Sequence, residues 1–285
     1  MASPELSPSP PVVELTLRPR RVLLGVFLAC VGAEIAFFLL DWHVNYGRLF
    51  DLGPMRNMLN TTREDGLASW FGVTQTAFVA LTLWLVVVTV RARDRTRWAG
   101  LGWMVVALIF SYMAFDDGAE FHERLGSTFK LFQQRASEAA AEPTAGSRLL
   151  ELFPSYPWQV LFLPFFGAAG LFMLAFLWRR LQTRRARGLL LAGIGCFVVA
   201  VGIDFVEGLD EDHTLNVNRM IAELPGVEDY AYERFDRDGY EAVRHFGKSL
   251  EETTEMFGMT LLWVAFLGHW MHIGGNLRVR CAPDP

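Results

Sequence analysis

The chain has 285 residues, of which 52% are hydrophobic and 20% charged, with a formal net charge of -5. A mean hydropathy of +0.25 and a pI near 5.7 exclude a disordered chain, which would be poor in apolar residues, and a nucleic-acid binder, which would be basic. Three cysteines, Cys30, Cys196 and Cys281, occur without a CxxC, so neither a disulfide framework nor a thiolate zinc site is supported.

Residues 1–17 are rich in Pro and Ser and read as a disordered cytoplasmic tail. A membrane domain over 18–280 follows, and 281–285 form a second tail. Six apolar blocks lie within the domain, at 21–41, 69–90, 98–115, 158–178, 188–206 and 253–272. Each is near the ~20 residues a helix needs to cross a bilayer, which predicts an all-α polytopic protein with six transmembrane helices. The first block is too long for a signal-peptide core and lacks a small-x-small cleavage site, so it is expected to remain as a span. Two long outer loops are predicted. The first, 116–157, holds a helix-forming stretch, KLFQQRASEAAAE, closed by Pro143 and Gly146. The second, 207–252, holds LNVNRMIAEL and GYEAVRHFGKSLEETTEMFG, both of helical period, the latter running on into span six.

Arginine placement sets the orientation. Arg18, Arg20 and Arg21 precede span one, and Arg91, Arg93, Arg95 and Arg97 separate spans two and three. Arg179, Arg180, Arg184, Arg185 and Arg187 separate spans four and five, and Arg278 and Arg280 follow span six. These alternate segments hold 14 Arg against four acids, whereas the opposite side holds 12 Lys and Arg against 26 acids. The positive-inside rule then places both termini in the cytoplasm. Trp42, Trp70 and Trp158 near the outer boundary, and Trp98, Trp178 and Trp270 near the inner one, read as an aromatic belt.

The acids gather at the outer ends of the helices. Asp116, Glu120 and Glu123 would share one face of a continuing helix, as would Asp204 and Glu207 on span five. Glu255 lies one turn below Glu251 and Glu252, which read as solvated, at the start of span six. Span one carries Glu34 within the membrane, with Asp41 seven residues on, and Gln75 of span two lies at the depth of Glu34. A charged carboxylate that deep costs about 2.5–3.5 kcal/mol, so Glu34 is expected to face a polar interior. Spans one, three, five and six are therefore expected to form the core, with spans two and four facing lipid. His43, His269 and His272 read as interfacial.

Asp116-Asp117-x4-His122-Glu123 resembles a D-[DE]-x4-H-E element at the end of a span in a group of uncharacterised bacterial polytopic membrane proteins, some with an acidic start to the last span, as in Glu251-Glu252-x2-Glu255-Met256. The resemblance implies a shared architecture and the bacterial cytoplasmic (inner) membrane; it supplies no activity.

Carboxylates with one imidazole suit a divalent metal ion. Asp116, His122, Glu123, Glu255, Asp204 and Glu207 are the candidate ligands, supported by Glu34, Asp41, Asp117 and Gln75. A ferritin-type di-iron site is disfavoured, because no Glu-x-x-His occurs at the cluster. Three readings stay open: a metal-binding membrane protein acting as an enzyme near the outer leaflet, a cation- or proton-coupled transporter using Glu34, and a non-catalytic subunit whose acidic outer face docks a protein partner. The bilayer is the common partner of all three.

Overall fold

The computed structural model describes residues 12–14, 18–47, 52–94, 96, 98–140, 142–274 and 278–280. They form eleven α-helices: α1 (Pro19–Asp41), α2 (Gly53–Leu59), α3 (Leu67–Arg93), α4 (Leu101–Ala119), α5 (Phe121–Ala140), α6 (Ala145–Leu152), α7 (Pro157–Arg180), α8 (Arg184–Glu207), α9 (Val217–Ala222), α10 (Val227–Phe235) and α11 (Gly239–His272). Extended structure among these residues is one short antiparallel pair, β1 (Val12–Glu14) with β2 (Arg278–Arg280). The rest of the expected tail 1–17, the tail 281–285, and Arg95 and Arg97 lie outside the described residues.

Five helices are long and apolar enough to cross a membrane: α1 with the π-helical Trp42–Tyr46 that continues it, α3, α4, α7 and α8. The sixth expected span falls within α11, whose 34 residues begin in the outer loop. Asp238 caps that start by accepting from the backbone N–H groups of Tyr240 and Glu241. Thr183 does the same for α8 through Ala186, and prolines open α1 and α7.

The side-chain pairings fix the helix directions. Gln75, Thr82 and Thr89 of α3 meet Thr260, Trp263 and Trp270 of α11, so these two helices run parallel. Each pairing is seven residues from the next on α3, two turns along one face. Glu34 of α1 meets Thr260, and Asp41 meets His245 and Ser249, so α1 runs antiparallel to α11. Trp103 and Phe110 of α4 meet His269 and Phe266, also antiparallel. Gln159 of α7 meets Asp204 of α8, while Trp103 of α4 meets Phe176 of α7. The six long helices thus alternate in direction along the chain.

The helix α11 is the centre of the bundle and packs against α1, α3 and α8. Its approach to α8 is close because both helices present glycine. A Cβ on Gly193 would lie 2.7 Å from the Leu262 side chain, and one on Gly258 would lie 2.9 Å from Cys196 Cβ and 3.1 Å from the Gly193 carbonyl oxygen. The inner half is filled by Leu83, Val86, Val106, Phe110, Leu190 and Phe266, all essentially inaccessible.

The expected division into core and lipid-facing spans is corrected here for spans one and two, while α7, span four, is 6% buried, as a lipid-facing span should be. In its most apolar stretch α3, span two, is 44% buried, the most of the five, whereas α1 is 11% buried. Counting acids misassigned them, because α3 is drawn inward by uncharged polar groups, Gln75, Thr76 and Thr82. Two belt tryptophans are also interior: Trp158 is buried, and Trp270 is buried and donates to Thr89. Trp42, Trp70, Trp98 and Trp178 are exposed, as a belt requires.

Replacing Gly258 by Val should force α8 from α11, costing about 1–3 kcal/mol by overpacking. Gly195→Val on α8, where a Cβ meets nothing within 4 Å, is the control. Thermal unfolding in detergent should show a lower midpoint for Gly258→Val alone.

Candidate functional site

A cavity of about 1210 Å³ opens between α3, α4, α7, α8 and α11, with the start of α5 at its rim. Its walls are largely apolar, with Phe162, Phe166, Ile194, Met256, Met259 and Leu262 among them. Along α8 it extends from Ile194 to Asp204, about 15 Å at 1.5 Å per residue. The end where α4 finishes and α11 enters is acidic. Glu64 lies ahead of α3, Asp116 and Asp117 end α4, and Glu120 and Glu123 flank the start of α5. Asp204 comes from α8, and Glu251, Glu252 and Glu255 come from α11. Nine carboxylates and His122 therefore line one chamber, and among the described residues no lysine or arginine does.

The junction of α4 and α5 is built around Asp116. The helix expected to continue through Glu123 breaks at Glu120, whose φ of 49° is left-handed. This corrects the expected shared face of Asp116, Glu120 and Glu123. The break turns the chain so that buried Asp116 caps α5. Its Oδ1 accepts from the His122 backbone N–H at 3.0 Å, and its Oδ2 lies 2.6 Å from His122 Nδ1. Tyr112 also donates to it, at 3.3 Å. A left-handed non-glycine residue costs roughly 1–2 kcal/mol, and these Asp116 contacts offset it. The imidazole stands edge-on to Trp158, with ring centroids 4.6 Å apart, and its Nε2 is the nitrogen left for a ligand.

Burial opposes a charged His122, but the hydrogen bond and charge of Asp116, with Glu123 and Asp204 behind it, outweigh burial and raise its pKa above the usual 6.5. Lys248, on the part of α11 ahead of span six, is also held protonated. Burial opposes its charge, and Glu207, Glu252, Glu64 and Glu123 outweigh it. Several chamber carboxylates carry a neutral donor: Thr76 donates to Asp117 at 3.2 Å, and Gln159 donates to Asp204 at 2.7 Å. Glu255 lies within electrostatic reach of Glu252, Asp117, Asp204 and Glu64. Among the described residues no three His, Cys, Asp or Glu side chains form a ready-made metal-ligand group.

The chamber thus gathers Asp116, Asp117, His122, Glu123, Asp204, Glu255 and Gln75. It does not gather Glu207, which pairs with Arg244 at 3.2 Å and accepts from Tyr156. Burial, with the charge of Glu207, pushes the Tyr156 phenol up to about 12. Glu34 is buried below the chamber and bonds Thr260 at 2.6 Å and Gln75 at 3.2 Å. Asp41 belongs to a separate knot: its carboxylate accepts from Asn45, Thr61 and Ser249 and lies 2.8 Å from His245 Nε2. Sequence reasoning missed Glu64, Glu120, Glu251 and Glu252 as chamber residues, because an acid at a helix end ordinarily faces water. The signal available for the last two was that Glu251, Glu252 and Glu255 precede an apolar stretch within one continuous helix.

A family model described as Domain of unknown function (DUF8692) matches residues 23–270, from the first long helix to the last, so the chain belongs to that family. No curated protein and no solved structure matches the chain.

The raised pKa of His122 makes its pair with Asp116 fully stabilising below the ordinary value of 6.5 and progressively less so as pH rises through the raised value. The gap in thermal midpoint between wild type and His122→Gln should therefore be widest at acid pH and narrow toward alkaline pH. A gap of constant size across a pH titration would show that the pair is not charged.

Proposed function

We propose that this member of the DUF8692 family is a six-span membrane protein of the bacterial cytoplasmic membrane, with both termini in the cytoplasm. It holds a divalent cation in the carboxylate crown of its chamber and acts as a metal-dependent enzyme near the outer leaflet. The alternation of the six long helices and the arginine-rich connections at one end support the topology. The similarity of the Asp116–Glu123 element to bacterial membrane proteins supports the location.

One observation carries the functional reading: nine carboxylates and an imidazole line one chamber without a lysine or arginine among the described lining residues. Like charges this crowded cannot all ionise beside one another unless a cation or shared protons intervene. Asp117, Glu252 and Glu255 lie within electrostatic reach of each other and are the first candidates to close on an ion. Asp204 and Glu123 stand around them. The Asp116–His122 pair has the arrangement of a carboxylate orienting a metal-binding histidine, with Nδ1 engaged and Nε2 available. An ion held there would activate water, and a neighbouring carboxylate would take the proton. Glu34 fits a structural tie between α1, α3 and α11 better than a transport relay, since Thr260 and Gln75 both engage its carboxyl.

Single cysteines at Thr183, Ala140 and Tyr230, with Cys30, Cys196 and Cys281 replaced by Ala, test the topology. The first should label only from the cytoplasm and the other two only from outside; labelling of all three from one side ends the six-span reading. Elemental analysis of the purified protein tests the cation. Wild type should carry a stoichiometric divalent metal that Glu255→Gln and Asp117→Asn lose while remaining folded. Wild type that stays metal-free after loading rejects the cation site.

A further inference from the structure

The chamber has a window in its wall. Helices α4 and α7 meet near their ends, where Trp103 lies against Phe176 with ring centroids 5.4 Å apart and Tyr112 against Phe166 at 6.4 Å. Between these contacts α7 carries Gly167 and Gly170, both lining the chamber, and a Cβ on either would meet nothing within 4 Å. Leu108 of α4 and Leu171 of α7 line the chamber and are 51% and 70% exposed, so neither helix covers the other there. An opening bordered by leucine and glycine, partway along two apolar helices, admits hydrocarbon rather than a polar solute.

The lining of the chamber supplies a second, independent observation. Three of its side chains hold a buried atom with no hydrogen-bond partner among the described residues: Glu251 Oε2, the Trp158 indole Nε1 and the Gln75 carbonyl Oε1. Their residues are 8%, 7% and 2% exposed. Buried polar groups are almost always paired, so three unpaired ones in one chamber mark where a polar partner belongs.

We infer that the chamber takes up, through the α4–α7 window, an amphiphile of the bilayer whose hydrocarbon chain fills the apolar part and whose non-anionic head, carrying O–H or N–H donors, completes these three atoms. The inference rests on the reading that these helices cross the bilayer, and deepens it by naming the substrate class. Gln75 Oε1 accepts from the head group, Trp158 Nε1 donates to its oxygen, and Glu251 accepts from an ammonium or hydroxyl. A phosphate or carboxylate head would instead meet nine carboxylates, against which Lys248 at the edge and His122 are too little positive charge.

The test uses the full-length protein in lipid nanodiscs and a hexadecylamine carrying a photoreactive diazirine in its chain. Irradiation should label peptides of α4 and α7. Gly170→Phe, which fills open space, should abolish that labelling with its thermal midpoint unchanged. Glu251→Gln, which keeps the side-chain volume, should weaken it about tenfold, the loss expected for one buried charge-assisted contact. Unlabelled hexadecylamine should compete, and hexadecyl phosphate should not. Labelling that is indifferent to Gly170→Phe in a folded protein, or equal competition by the phosphate, overturns the inference. Repeating the experiment after metal chelation separates the two proposals. Labelling that survives chelation supports the amphiphile site whatever becomes of the cation. Labelling absent from metal-loaded protein overturns it and leaves the cation site standing.

Discussion

Carboxylates drawn from five stretches of chain face one another across a space walled mostly by hydrocarbon, and the rest of the bundle accommodates their repulsion. In a low-dielectric surround two such charges repel far more than in water. The fold spreads the load in three ways. Thr76, Gln159 and Tyr112 give Asp117, Asp204 and Asp116 a neutral donor each. His122 and Lys248 bring positive charge to the edge of the group. The carboxylates on α11 sit where α8 and α11 are locked by Gly193 and Gly258, so the backbone cannot relax outward to separate them. Repulsion is thereby retained in a rigid frame, the condition under which an added cation gains most.

The same helix links this crown to everything else. Successive turns of α11 meet the Asp41 knot, the chamber, Glu34 with Gln75, and then the Trp263 and Trp270 contacts to α3. Breaking one buried hydrogen bond here leaves its partner desolvated at about 1–3 kcal/mol. The outer cap reinforces this linkage: Tyr46, Phe235, Ala231 and Ala242 form a second small core over the Asp41 knot.

Much of this was legible in the residues. The apolar blocks found the long helices because a period of continuous hydropathy twenty residues long has few other solutions. The acidic start of the sixth apolar block runs into that block as one helix, since no proline interrupts Gly239–His272. The motif around Asp116 and His122 located the rim of the chamber. What the pattern could not convey was direction. Asp41, Glu207 and Asp204 all end apolar helices, yet the first two turn to partners outside the chamber, His245 and Arg244, which lie on the first turns of α11, distant in sequence. Nor could helical spacing anticipate the left-handed Glu120, where capping of His122 by Asp116 overrides continuation of α4. The burial of α3 was hidden for a related reason: threonine and glutamine carry no charge to mark them, but Trp263, Trp270 and Glu34 give them partners that hold the helix at the centre.

Two buried acids show how structural and functional carboxylates part company. Asp41 has a partner for each oxygen, in a space Tyr46 and Phe246 seal with rings 4.4 Å apart. A group so satisfied has nothing further to bind, and its value is to pin α1 and the segment before α3 to α11. Glu251 is also buried, lies only two residues beyond Ser249 of that knot and lines the chamber, but its Oε2 has no partner among the described residues. Leaving such an atom unsatisfied is costly, and a fold that could place Ser249 against Asp41 could as readily have placed a threonine against Glu251. The neighbouring turns of one helix thus serve opposite ends: one completes a joint, and the other holds open a valence that a ligand must fill.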